Sequence, residues 1–452
     1  MLKRTAGILW MMIILFYQTA FAFGQDDQRV RISLVGDILM DGSVGRYIEK
    51  NGVDYPWEKV KEVFSYSDLV LGNLETSVGG GGQADANKQY TFQSKPATLK
   101  GLVNAGIGGI SIANNHVLDY GQEGFMETLY HLERSGIKYA GGGRNMEEAL
   151  QPAIWEIKGM RIGFLAFSRV IYDVSWYAGA KKPGILSAYD HYAKEVCDII
   201  SKTREKVDFL IVSVHWGKEL AQYPEENEIK LGRMMIDSGA DVIMGHHPHV
   251  LQGVEFYNNK PILYSLGNFV FSSSSQLSRT SMIFNLEINP EGIIKAYVVP
   301  VRIHHCQPVP VKDKEAEEVI HLLNTLSKQW DTKFLKNGDI VGKIEYVKPK
   351  GRDSSVDKKD MPPPNSMPDP SIGRDVRIEK LERLSKFFGY DLHFDVSKNR
   401  AMLIKEKETI ILDYHQTLMT IRREKKGWLN SFFIHKPLQL LCKFFKWDFQ
   451  YQ

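Results

Sequence analysis

Short runs of consecutive apolar residues alternate, over residues 29–303, with stretches in which apolar positions recur every third or fourth residue. The runs at 30–35, 69–71, 109–113, 209–214 and 242–244 lack the period-two alternation of a half-exposed strand, which predicts strands covered on both faces of a sheet. Between them, residues 57–64, 98–105, 124–134, 191–206 and 226–237 each carry one apolar stripe, as helices packed on such a sheet do. An α/β layered domain follows. Hairpins interrupt the parallel-type pattern: 154–157 turns through Lys158-Gly159 into 161–167, 254–256 through Asn258-Asn259 into 261–265, and 283–288 through Pro290-Glu291-Gly292 into 293–301. This mixture predicts two packed mixed sheets with helices outside, closed by a helix near 315–328.

The two ends of the chain break the pattern. Lys3 and Arg4 precede an apolar stretch at 7–17, and Ala20-Phe21-Ala22 offers the small residues of a signal peptidase site. Residues 1–23 therefore read as a signal peptide or, uncleaved, a signal anchor. The folded part is then expected outside the cytoplasmic membrane, secreted or anchored at the cell envelope. The main domain is expected over 29–345. Residues 348–374, with Met361-Pro362-Pro363-Pro364 and Met367-Pro368-Asp369-Pro370, read as a Pro-rich linker. Residues 375–452 form a small C-terminal region of unassigned function. Its last stretch, 425–452, interleaves Trp428, Phe432, Phe433, Phe444, Phe445 and Trp447 with Lys426, Lys436, Lys443 and Lys446. That composition predicts an amphipathic helix, which either lies on an anionic membrane surface or docks on its own small domain.

Composition removes several classes of protein. With 43% hydrophobic and 25% charged residues in a chain of 452, collagen-like, wholly disordered and polytopic membrane proteins are excluded. A net charge of +3, from 57 basic and 54 acidic side chains, gives no electrostatic case for a nucleic-acid partner. Cys197, Cys306 and Cys442 are far apart and show no CxxC spacing, so neither a zinc ribbon nor a disulfide framework is expected.

The chemistry gathers where the apolar runs end. Residues 32–35 run into Gly36-Asp37, 69–71 into Gly72-Asn73-Leu74-Glu75, and 110–113 into Asn114-Asn115-His116. In the same way 212–214 runs into His215-Trp216-Gly217, and 242–244 into Gly245-His246-His247-Pro248-His249. Ligands of open α/β sheets bind beyond the carboxyl ends of the strands, so these ends should converge on one crevice. Carboxylates, amide oxygens and imidazoles are donors suited to zinc, manganese or iron. Taken singly, Asp37 also fits a helix cap, Asn73 and Glu75 fit turn residues, and His116 or His215 fits a core histidine. The imidazoles of His246, His247 and His249 directly after one strand favour metal. Asp119 and Glu219 stand where they could orient an imidazole.

Taken in order, Gly36-Asp37, Gly72-Asn73-Leu74-Glu75, Asn114-Asn115-His116-Val117-Leu118-Asp119-Tyr120-Gly121, His215-Trp216-Gly217-Lys218-Glu219, Gly245-His246-His247-Pro248-His249-Val250 and Tyr264-Ser265-Leu266-Gly267-Asn268-Phe269 resemble the CapA family of poly-γ-glutamate capsule synthesis proteins. That family is similar in turn to the calcineurin-like metallophosphoesterases. The resemblance covers about residues 30–330 and implies a four-layer α/β/β/α sandwich with a dinuclear metal site between the sheets. It further implies that Asp37 binds metal, that Glu75, or else Asn73, takes the place of a bridging aspartate, and that Asn115 binds metal while His116 protonates the leaving group. His215, His247 and His249 match the remaining metal histidines, with His246 a rival ligand. Leu39 stands where the pattern has its first histidine, leaving one or two cations.

What the resemblance implies about function is a part in making, exporting or anchoring poly-γ-glutamate or a similar capsule polymer. The chemistry would be that of a metal-dependent phosphoesterase-type hydrolase acting on an anionic polymer or phosphoester. The alternative is a non-catalytic polymer-binding or scaffold subunit beside a membrane-bound polymer synthase. Lys95, Arg144 and Arg169 are candidates to face the crevice. The glycines at 79–82 lack the Lys-Ser/Thr ending of a phosphate loop and predict a mobile loop; those at 141–143 predict a turn.

Overall fold

Each of the long apolar runs becomes a strand in one of two mixed sheets. The structure, a computed structural model, describes residues 29–341 and, further on, five strands within 391–451. The expected signal segment (1–23), the expected linker (348–374) and most of the basic aromatic stretch (426–447) lie outside the described residues. Two units form, Met1–Gly351 and Arg352–Gln452.

In chain order the first unit begins with β1 (Val30–Ile38), α1 (Gly42–Asn51), β2 (Leu69–Leu74), α2 (Leu99–Ala105), β3 (Ile107–Ser111), α3 (Gly121–Ser135) and β4 (Lys138–Ala140). There follow β5 (Ala153–Ile157), β6 (Met160–Ser168), α4 (Ala193–Arg204), β7 (Phe209–His215), α5 (Glu226–Asp237), β8 (Val242–His246), β9 (Val254–Tyr257) and β10 (Lys260–Leu263). The series ends with β11 (Asn268–Val270), β12 (Thr280–Asn289), β13 (Gly292–His304), β14 (Gln307–Pro310) and α6 (Asp313–Ser327).

The first sheet has the order β14-β13-β12-β1-β2-β3-β4, with β11 also pairing β1; β1 to β4 run parallel, and the β12–β14 side is an antiparallel meander. The second has the order β9-β10-β8-β7-β6-β5, parallel through β6, β7, β8 and β10 with an antiparallel strand at each edge. All three hairpins read from the sequence are present. Along β7 the side chains divide. Phe209 and Ile211 join the core shared with Leu34 and Ile110 of the first sheet, whereas Leu210, Val212 and Val214 pack with Val196 and Ile200 of α4 and Leu231, Met235 and Ile236 of α5. The second sheet thus has an inner face toward the first sheet and an outer face under helices, which is why its strands read as unbroken apolar runs. A capping box of Glu225 and Glu228 starts α5 and satisfies amide protons that the helix cannot pair itself. Each large side chain this helix buries contributes about 1.5–3 kcal/mol.

Three local expectations are corrected. The helix expected over 57–64 is a 3-10 turn at Tyr55–Trp57 followed by one short helix at Lys61–Phe64, because Pro56 opens a tight turn closed by amide bonds to residues three back. Gly142–Gly143 is not a turn but a short strand paired with Gly184–Ile185. The 79–82 loop is pinned, since the amides of Gly80 and Gly81 each donate to the Glu127 carboxylate of α3 at 2.8 Å.

The second unit is described by its strands alone: β15 (Asp391–Asp395), β16 (Arg400–Lys405), β17 (Glu408–His415), β18 (Leu418–Lys425) and β19 (Asp448–Tyr451). They form one sheet in sequence order, antiparallel except that β19 runs parallel to β18. Of the helix expected over 425–452, Lys425 and Asp448–Tyr451 are strand instead, and the rest lies outside the described residues.

Candidate functional site

Register places the polar ends of the strands side by side. In the first sheet Asp37 of β1 is level with Asn73 of β2 and with Asn268 of β11. In the second, His215 of β7 is level with His246 of β8. The pairing of β1 slips between Leu34 and Asp37, where Gly36 passes so near the Gly267 backbone that a Cβ would lie 1.9 Å from its carbonyl oxygen. That irregularity aims the Asp37 carboxylate at the facing sheet.

Asp37 is fully buried. Its Oδ1 accepts from Asn73 Nδ2 at 2.9 Å and lies 3.0 Å from His246 Nδ1, while Oδ2 is 3.3 Å from His249 Nδ1. Burial opposes its ionisation, but the hydrogen bonds and charges of His246 and His249 outweigh it and hold the carboxyl well below the usual range. Glu75, immediately after β2, is the opposite case. Burial and the nearby Asp37 charge push its carboxyl well above the ordinary value. Its Oε1 is 3.4 Å from His215 Nε2 and 3.7 Å from His249 Nε2.

The histidines divide in the same way. Burial lowers His215 well below the usual imidazole value and His247 to about 3, so both are neutral bases with a free lone pair, the form that ligates metal. Burial also acts on His249, yet the Glu75 and Asp37 charges exceed it and raise the imidazole to about 9. The rings of His215 and His247 are 4.8 Å apart, centre to centre. His247 and His249 hold φ of 96° and 57°, backbone that costs a non-glycine residue about 1–3 kcal/mol when it is imposed. Asn268 holds the second of them: its Oδ1 accepts from His249 Nδ1 at 2.9 Å and its Nδ2 donates to the His249 carbonyl.

Asn115 and His116 approach from the end of β3. Asn115 Oδ1 is 2.7 Å from His215 Nε2. Asn114 shapes this turn: its amide donates to Asn73 Oδ1 and the Leu74 carbonyl, and its oxygen accepts from the amides of His116 and Val117. His116 Nδ1 is 2.7 Å from Asp119 Oδ2, and its ring rests on Phe92. Burial lowers the His116 imidazole, with Asp119 opposing and Lys88 assisting.

Every sequence-predicted site residue but one meets in this crevice: Asp37, Asn73, Glu75, Asn115, His116, Asp119, His215, His246, His247 and His249. The exception is Glu219. It is exposed and forms no hydrogen bond to an imidazole among the described residues, because the chain turns outward at Lys218–Ala221, with Leu220 at φ 61°; it reaches the crevice through its charge alone, which helps raise His249 and Glu75. Lys95, Arg144 and Arg169 pair instead with Glu49, with Glu133 and Glu148, and with Asp190. Asn114, Asn268 and Lys88 were not assigned roles from the sequence. The first two sat inside quoted motifs; Lys88 lies in an irregular loop without a periodic signal.

Two donor sets, Asp37–Glu75–His215 and Glu75–His247–His249, each bring their ligand atoms within 4.8 Å of one another and share Glu75. Both Glu75 oxygens, His246 Nε2 and His247 Nδ1 are buried without a hydrogen-bond partner. Folded proteins leave few such atoms unpaired, and Glu75 and His247 belong to the donor sets just named, so the residues present fit divalent cations. The sequence pattern of the bacterial capsule synthesis protein PGA_cap family matches residues 31–273. The chain belongs to this family. Similar to it are the PGA biosynthesis protein CapA of Bacillus subtilis (strain 168), 34% identical over 328 residues, 71% of this chain and 84% of that protein, and the capsule biosynthesis protein CapA of Bacillus anthracis, 31% identical over 291 residues, 64% of this chain and 71% of that one. Among solved structures, the NAD nucleotidase (NadN) of Haemophilus influenzae matches with a TM-score of 0.36 and 17% identity over 69% of this chain; the chain spans 58% of that protein's length. The family match ends at residue 273, so it includes all the donors named above and excludes the second unit.

Proposed function

We propose that this chain is an exported, metal-dependent hydrolase of the phosphoesterase type, serving the synthesis, export or anchoring of poly-γ-glutamate or a similar anionic envelope polymer. The observation that carries the reading is the pair of overlapping donor sets sharing Glu75, whose buried oxygens have no hydrogen-bond partner. Membership of the PGA_cap family and the names of the Bacillus relatives support the polymer. Asp37, Glu75 and His215 would hold one divalent cation, manganese, zinc or iron, and Glu75, His247 and His249 a second; Asn115 adds an amide oxygen. Bound there, such cations polarise a phosphoryl oxygen and make water acidic enough to attack at neutral pH. The chain supplies the rest. His246 orients Asp37, and Asp119 orients His116. His116 is neutral at rest; an anionic ester arriving at its free Nε2 favours the protonated ring. That proton then passes to the leaving oxygen as its bond to phosphorus breaks.

A second reading, a polymer-binding or scaffold subunit beside a membrane synthase, is favoured by Leu39. This apolar residue, 4% exposed, replaces a metal-binding histidine. Purified protein incubated with manganese and a nitrophenyl phosphodiester separates the two: turnover abolished by chelator supports the hydrolase, and polyglutamate binding without turnover supports the subunit. Signal-peptide processing and recovery of the protein in the envelope fraction test its export.

A further inference from the structure

Behind Asn115 and His116, on the side away from the cation donors, lies a lysine that the chemistry above does not use. The Lys88 side chain is 7% exposed. Its Nζ donates to the Asn115 carbonyl and to Asp119 Oδ1, and it stands 3.5 Å from His116 Nδ1. The ammonium also lies over two rings, 5.6 Å from the centre of Tyr172 and 5.0 Å from that of Trp176. The Tyr172 hydroxyl donates to the Asn87 carbonyl at 2.8 Å, which fastens the segment bearing these rings to the one bearing the lysine.

An ammonium can only donate, and a carboxylate can only accept. With Lys88 on one oxygen of Asp119, the other oxygen remains an acceptor, and it receives the Phe92 amide at 2.8 Å as well as His116 Nδ1. Nδ1 must then carry the ring proton, which leaves the Nε2 lone pair for the crevice. Without the ammonium, Asp119 would lose its partner on Oδ1, and the turn carrying both Asn115 and His116 would lose its shared anchor.

We propose that Lys88 is a positioning residue: its single ammonium holds the Asn115 carbonyl and the Asp119 carboxylate together and thereby fixes the His116 ring as the Nδ1–H tautomer with Nε2 toward the crevice. This rests on His116 being the proton-transfer group of the proposed hydrolase. The test uses the full-length, zinc-loaded protein with isotope-labelled histidine; the His116 resonances are assigned by their loss in His116→Asn, and zinc content and phosphodiester turnover are measured in parallel. Wild type should show the Nδ1–H form. In Lys88→Met the ring should shift toward the other tautomer, zinc should stay bound, and kcat should fall about 10–100-fold at little-changed KM. Lys88→Arg should restore the tautomer and most of kcat. If Lys88→Met does not fold, Lys88→Gln, a neutral donor of shorter reach, carries the same expectation. An unchanged tautomer would overturn the proposal, as would loss of zinc in step with kcat, which would make Lys88 a support for Asn115 alone. Absence of wild-type turnover would count against the hydrolase, and the tautomer would still decide the role of Lys88.

Discussion

Glu75→Gln is the substitution that separates a metal centre from a merely polar core. Glu75 belongs to both donor sets, so one change from carboxylate to amide weakens both cation positions while preserving shape. In metal-free protein the effect should be neutral or favourable. The folded-state carboxyl is raised above its unfolded value, so above the ordinary glutamate range stability falls as pH climbs toward the folded value, and glutamine carries no such penalty. With cation the order reverses. At a free concentration about 100 times Kd, wild type gains ~2.7 kcal/mol, and a variant binding about 100-fold more weakly gains only ~0.4 kcal/mol. In a unit this large that is a rise in Tm of about 4 °C shrinking to below about 1 °C. Thermal unfolding at pH 7, with chelator and then with manganese, reads both arms. If Glu75→Gln rises with manganese as far as wild type does, Glu75 holds no cation and the shared-ligand argument fails.

Further outcomes follow from the same geometry. His116→Ala should keep its metal and near-normal stability while losing about 10²–10⁴-fold in turnover, whereas His247→Ala should lose metal and turnover together; metal analysis beside kinetics distinguishes them. Cation binding should release protons at pH 7, because His249, raised to about 9, and Glu75, raised well above the ordinary carboxyl range, must both be unprotonated to ligate; affinity therefore climbs with pH, as calorimetry in buffers of different ionisation enthalpy can measure. Gly36→Ala forces a Cβ against the Gly267 carbonyl and should cost at least about 1–3 kcal/mol by denaturant unfolding, with weakened metal binding because Asp37 moves.

The parts of the fold legible in the sequence are those where one interaction dominates. β7 and β8 are buried on both faces, so their apolar runs could be nothing else, and the first polar residues after them had to lie at the sheet's edge. The donors were found by that logic. α1 escaped notice because only Val44 and Ile48 of its residues are buried, too few to make a stripe. β11 is three residues long and is defined by its pairing to β1, a contact that no local pattern encodes. Glu219 misled because its spacing from His215 suits an orienting carboxylate, while the turn that sends it outward is set by a bond from Leu220 to the Pro248 carbonyl. Lys88 is separated by 31 positions from the Asp119 it serves, and nothing in an exposed-looking loop announces a buried ammonium.

The crevice is assembled from chain segments far apart in sequence: Asp37 and His246 are 209 positions apart, and Asn115 and His215 are 100. Contacts of such separation form only after the entropy of closing long loops has been met, so the donors come together with the last docking of one sheet on the other. A cation has nothing to grip in the partly folded chain that precedes this docking. Its binding energy would therefore deepen the native basin without lowering the barrier into it: refolding should proceed at the same rate with or without metal, and unfolding should slow by the whole factor of one plus the ratio of free cation concentration to Kd. A cation held by these donors would then set the lifetime of the folded domain and leave the speed of its formation untouched.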